Sequence, residues 1–159
     1  ILERPMWVAQ LGGLLLVPLG VALIAALARR WRLALALALL VPAKLFVEYR
    51  VIKAVADRER PATSICAGDL DCLNLRDAPA AGVSMPSGHA VIAMGILWLV
   101  APYLPRGWRW VLVAACLMVP VARVYLGAHN PLDVVVGGAA GIAVAALLNL
   151  LVGVPGGRR

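Results

Sequence analysis

Three short clusters hold the residues of this chain that could do chemistry: Lys53-x6-Arg60-Pro61, Pro86-Ser87-Gly88-His89 and Arg123-x5-His129-x3-Asp133. His89 and His129 are its only histidines. Each cluster falls at the end of an apolar run. Charge at such a place in a greasy chain is costly, and is therefore usually functional. Together the clusters supply cations, a helix start and two imidazoles, the parts from which a phosphate site with a nucleophile can be built.

The spacing suggests a use for each. On a continuous helix Lys53 and Arg60 would share one face, and Pro61 would end that helix at its preceding residue. Lysine offers a phosphate a point charge and arginine a two-pronged donor; the alternative use of the pair is anchoring to lipid headgroups. Ser87-Gly88 opens the next run, where exposed backbone N–H groups can hold an anion. The same residues could also be an ordinary cap, with Ser87 as N-cap. Arg123 needs an anionic partner if it is to sit at a span end. Asp133 falls in the first turn of the last run. A carboxylate bonded to one nitrogen of His129 would fix the tautomer and leave the other nitrogen free as a nucleophile. Asp133 could also simply complement the helix dipole. Two separated histidines and an aspartate make a poor metal ligand set, so no metal and no cofactor are expected.

The elements that must position these residues are helices in lipid. The chain has 159 residues, 63% of them hydrophobic and 14% charged, with a mean hydropathy of +0.91. So much apolar side chain cannot be hidden in one small water-facing globule. Apolar runs at 6–28, 33–54, 87–104, 108–126 and 131–152 read as five spans of an all-α, polytopic transmembrane bundle, with a kink at Pro18. The whole of 1–159 reads as a single domain, with one long loop at about 55–85. Cys66 and Cys72 in that loop could form a disulfide on an oxidising face or remain thiols, and Cys116 reads as a packing residue. Gly137, Gly138, Ala139, Ala140 and Gly141 suit close helix packing.

The net charge of +7 lies entirely on Arg29, Arg30, Arg32, Arg106, Arg109, Arg158 and Arg159, the other basic residues being matched by acids. Alternating spans put these arginines on one face, which the positive-inside rule makes cytoplasmic. They therefore read as topology determinants, and no nucleic-acid partner is expected. All three clusters then meet on the opposite, extracytoplasmic face of the cell membrane.

In order and spacing the clusters resemble the signature of the type 2 phosphatidic acid phosphatase (PAP2) superfamily, the lipid phosphate phosphatases. One departure is Ala122, where the family pattern has serine before the arginine. Members commonly have six spans with the first cluster after the third, so the resemblance implies that one N-terminal span is absent or lies outside this segment. It also implies a metal-independent hydrolase of lipid phosphates or diphosphates: polyprenyl, phosphatidic acid or phosphatidylglycerol phosphate. His129, supported by Asp133, would form a phosphohistidine and His89 would protonate the leaving oxygen. Lys53, Arg60, Ser87, Gly88 and Arg123 would hold the phosphate. Its partners would be the phosphorylated lipid and membrane lipids, with oligomeric state left open. Two other readings compete: a vanadium haloperoxidase, which the hydropathy opposes, and a non-catalytic lipid-binding or transport protein with a similar site.

Overall fold

The first apolar run breaks where its glycines lie. In the computed structural model, which describes residues 2–66 and 82–154, it forms α1 (Glu3–Gln10), a 3-10 turn (Leu11–Gly13) and α2 (Leu16–Leu27). The two halves meet at 59°. The bend comes at Leu14, which is extended, and not at Pro18 as expected. Pro18 occupies the first turn of α2, where its missing N–H has no intrahelical partner to lose.

The second run forms α3 (Trp31–Phe46) and continues into a π-helical turn (Val47–Ile52). The helix stops there, so Lys53 and Arg60 do not share one, contrary to the spacing argument. Nor does Pro61 close a helix. It opens the short α4 (Pro61–Ser64) from the first helical position, where proline is well tolerated. The remaining runs form α5 (Gly88–Val100) with a 3-10 turn (Ala101–Tyr103), α6 (Arg106–Tyr125) and α7 (Pro131–Val152). Cys66, just after α4, is buried and disulfide-bonded; its expected partner Cys72 lies outside the described residues. Cys116 is buried and free.

α2, α3, α5 and α7 share the main core around Leu37, Leu40, Ile92 and Ala145. The glycines of α7 set how closely α5 approaches. A Cβ on Gly137 would fall 2.6 Å from the Ser87 carbonyl oxygen, and one on Gly141 would strike the Val91 backbone. These two glycines, one turn apart, are the small-x-x-x-small device of membrane helices. Gly141→Ala is therefore expected to destabilise the fold by about 1–3 kcal/mol, the usual cost of overpacking. An unchanged thermal midpoint in detergent would show that the helices are not pressed together here.

Outward faces carry large apolar residues, among them Leu23, Ile24, Leu150 and Leu151 with exposures of 62–79%. Such faces suit hydrocarbon. By length and composition, α6 and α7 are the described helices that can cross a membrane, or three spans if α1 through α2 counts as one broken span. Two or three spans, not five, meet that measure. α5 with its 3-10 turn is apolar but shorter, and the second run is divided by its π turn.

The bundle has two chemically distinct ends. At one, Arg32 Nη1 donates to the Gly153 carbonyl at 3.0 Å and the Arg30 guanidinium lies 4.5 Å from the centre of the Tyr103 ring. The turn between α2 and α3, the end of α5 and the end of α7 thus meet among the arginines. At the other end are the last residues of α3 and α6 and the first of α5 and α7.

Candidate active site

That second end holds a cavity of about 390 Å³. From the signature clusters it is lined by Lys53, Arg60, Gly88, His89, Arg123 and His129. Ser87 and Asp133 lie behind it, both at 0% exposure. Residues with no assigned role complete the wall: Lys44, Glu48 and Tyr49 from the second run, and Trp7, Gln10, Leu11 and Leu14 from the first.

The π turn explains why Lys53 reaches the cavity. Lys53 Nζ bonds Glu48 Oε1 at 2.7 Å, while Lys44 Nζ pairs with Glu48 Oε2 from the other side. Residues i and i+5 diverge on an α-helix; the wider turn, with Lys53 N–H donating to the Glu48 carbonyl at 2.9 Å, brings them together. Lys53 Nζ also sits 4.4 Å from the centre of the Tyr49 ring, a cation–π distance. A Cβ on Gly88 would fall 2.6 Å from Glu48 Oε2 and 2.7 Å from Lys44 Nζ. Gly88 is thus the position at which α5 admits this buried charge group. An acid inside an apolar run is itself a functional signal. It was legible at Glu48, but the three-cluster pattern did not include it.

Arg60, extended at the N-cap of α4, donates from Nη1 to the Ala128 carbonyl at 2.8 Å, which ties the first cluster to the loop bearing His129. Arg123, buried in the last turn of α6, donates from Nη1 to Gln10 Oε1, while its Nε is buried without a hydrogen-bond partner. A buried guanidinium bonded to a neutral amide still needs an anion. Ser87 directly precedes α5. It stands at the N-cap but makes no side-chain cap bond, and its backbone N–H is taken by the Asp133 carbonyl at 3.0 Å. Its Oγ is buried without a partner. The first run contributes more than Gln10: a Cβ on Gly13 would fall 2.6 Å from His89 Cβ, so the 3-10 turn lies directly on this histidine.

His129 and Asp133 are adjacent but not directly bonded. Their Nδ1–Oδ2 separation is 3.8 Å, too long for a hydrogen bond. Ser84 stands between them, 3.4 Å from His129 Nδ1 and 2.5 Å from Asp133 Oδ2. Asp133 also accepts the Asn130 N–H at 2.8 Å in a capping box, so the helix-terminus role and the contact with the histidine's neighbour coexist. Arg58 Nε lies 3.6 Å from Asp133 Oδ1.

Burial, reinforced by the positive charges of Arg123 and Arg60, holds the His129 imidazole below its ordinary range, with Ser84 pulling the other way. His129 is thus held neutral, the form a nucleophile requires. The unfolded chain takes up a proton on this histidine below its ordinary value of 6.5, whereas the folded chain resists it. Stability from this group is therefore present above that pH and is lost as pH falls. The thermal midpoint is expected to drop between about pH 7 and pH 5, with a flatter slope in His129→Gln. Equal slopes would place the titration elsewhere.

A family model described as the PAP2 superfamily matches residues 29–154. The chain belongs to the PAP2 superfamily. Comparison with curated protein sequences finds no match. Among solved structures, the crystal structure of LpxE from Aquifex aeolicus is similar, with a TM-score of 0.65 and 21% sequence identity over 92% of this chain and 84% of that one. At that identity the likeness establishes a shared fold. Membership of the PAP2 superfamily supports a phosphoric-ester hydrolase of the lipid phosphatase class.

Proposed function

We propose that this PAP2 protein is an integral-membrane lipid phosphatase that hydrolyses a lipid phosphate monoester or diphosphate through a phosphohistidine on His129. One observation carries the reading: the buried His129 imidazole shares a single cavity with Lys53, Arg60 and Arg123, and the Arg123 Nε there has no partner. Phosphoryl transfer is mostly positioning and charge stabilisation, and these side chains supply both.

A ring nitrogen of His129 attacks phosphorus, and the bond from phosphorus to the leaving oxygen breaks. His89 gives that oxygen a proton. Water then attacks the phosphohistidine, His89 takes the water proton, and inorganic phosphate leaves. The side-chain cations neutralise the developing charge in place of a metal ion. Trp7, Leu11 and Leu14 make one wall of the same cavity apolar, which suits a headgroup whose tail stays in lipid. The arginine-rich end is read as cytoplasmic and the cavity as opening on the outer side of the cell membrane.

The test is phosphate release by purified protein from a panel of polyprenyl and glycerolipid phosphates and diphosphates, with and without EDTA. Turnover that survives the chelator is expected. Complete loss in EDTA would count against the side-chain cations as the source of charge stabilisation. Binding of every lipid with turnover of none would favour the non-catalytic reading.

A further inference from the structure

The pair expected to work by direct contact, His129 and Asp133, is joined by a third residue. Ser84 lies 45 residues before His129 in sequence and is fully buried. Its backbone N–H donates to the Arg58 carbonyl at 2.7 Å, so the segment that carries it is pinned to the loop between the π turn and α4. Its hydroxyl has one proton to give. At 2.5 Å from Asp133 Oδ2, that proton goes to the carboxylate, which can only accept. The Ser84 oxygen then faces His129 Nδ1 at 3.4 Å with lone pairs alone. Only an Nδ1–H can satisfy that contact, which leaves the Nε2 lone pair free.

We infer that Ser84 is a positioning residue that relays Asp133 to His129, holding the imidazole as the Nδ1–H tautomer and so making Nε2 the attacking atom. The inference rests on His129 being the nucleophile. In the relay His129 donates to Ser84, Ser84 donates to Asp133, and the carboxylate is held by the Asn130 N–H beside Arg58. Positive charge arising on the ring during attack is stabilised through the hydroxyl. Removing the hydroxyl leaves Asp133 capped by Asn130 but breaks the link between its carboxylate and His129 Nδ1.

Three proteins test this: the wild type, Ser84→Ala and His129→Ala, each with full steady-state kinetics and with ¹⁵N-histidine spectra for the two that keep His129. With two histidines in the chain, a His89→Gln spectrum assigns the signals. The wild type is expected to show His129 as the Nδ1–H tautomer. Ser84→Ala is expected to show mixed tautomers, with kcat lowered about 10- to 100-fold and KM within about twofold, as when an orienting partner is lost. A merely structural serine would lower the thermal midpoint and leave the tautomer and kcat of the folded fraction unchanged. Should the alanine variant fail to fold, Ser84→Cys keeps the volume with a much weaker bond and is expected to show the same split. Wild-type kcat and tautomer in the serine variant, with an inactive His129→Ala, would overturn the relay alone. An active His129→Ala would overturn the nucleophile and the relay together.

Discussion

His129→Ala is expected to lower phosphate release by about 10⁴- to 10⁶-fold, the range seen when a covalent nucleophile is removed from a preorganised site. No other described side chain lining the cavity is a neutral, buried base in a loop joining two spans. The remaining cations would still bind lipid phosphate, so substrate affinity should fall much less than turnover. Radiolabelled substrate should leave acid-labile, base-stable label on the quenched wild type and none on the variant. His89 separates from it by leaving group. Because it protonates the departing oxygen, His89→Ala should cost far less with p-nitrophenyl phosphate, whose leaving group needs no proton, than with a lipid phosphate. Equal losses with both substrates would remove His89 from that role, and turnover above about 1% in His129→Ala would remove the phosphohistidine.

Arg123→Ala is expected to cost about 10³-fold in kcat/KM, with much of the loss in kcat, comparable to removing a principal donor to a developing oxyanion or phosphoryl group. The guanidinium is buried and its Nε has no partner, so its interaction energy is held for an anion. Lysine should restore little, because a point charge cannot reproduce the planar fork. The contact with Gln10 supplies the control. Loss of Arg123 also frees Gln10, and with it the packing of α1 on α6. Gln10→Ala breaks the same contact but keeps the cation, and should stay within about tenfold of wild type. If both variants lose activity equally, Arg123 matters as a strut for the first run and not as a phosphate ligand.

Residue type and charge pattern were enough to point six of the cluster residues to one end of the bundle, but not to give the local geometry or the distant partners found there. Lys53, Arg60, Gly88, His89, Arg123 and His129 all reach one cavity. Their common end of the bundle followed from the arginines, which had nothing to do with their chemistry. The route was misread for Lys53 and Arg60, whose spacing fits two turns of α-helix. The π turn and the loop after it bring them to the same cavity by another path. The π turn also recruits Glu48, which helical periodicity would have turned away from Lys53. Gln10 lies in a run read only as a span, and its place beside Arg123 depends on a bend at Leu14 that no proline marks.

The chain's composition and the order of its clusters determined by themselves that it is helical, that it belongs in lipid, and that one end must gather cations and two imidazoles. These follow from the solvation of side chains and the period of a helix, which are properties of short stretches. Tertiary structure alone decided which atoms touch. It set Ser84 between His129 and Asp133, Glu48 between two lysines, and Gly13 against His89. Such contacts join residues far apart in the chain or across a change of helical pitch. They exist only once the glycines of α7 have let α5 approach and the first run has bent over the cavity.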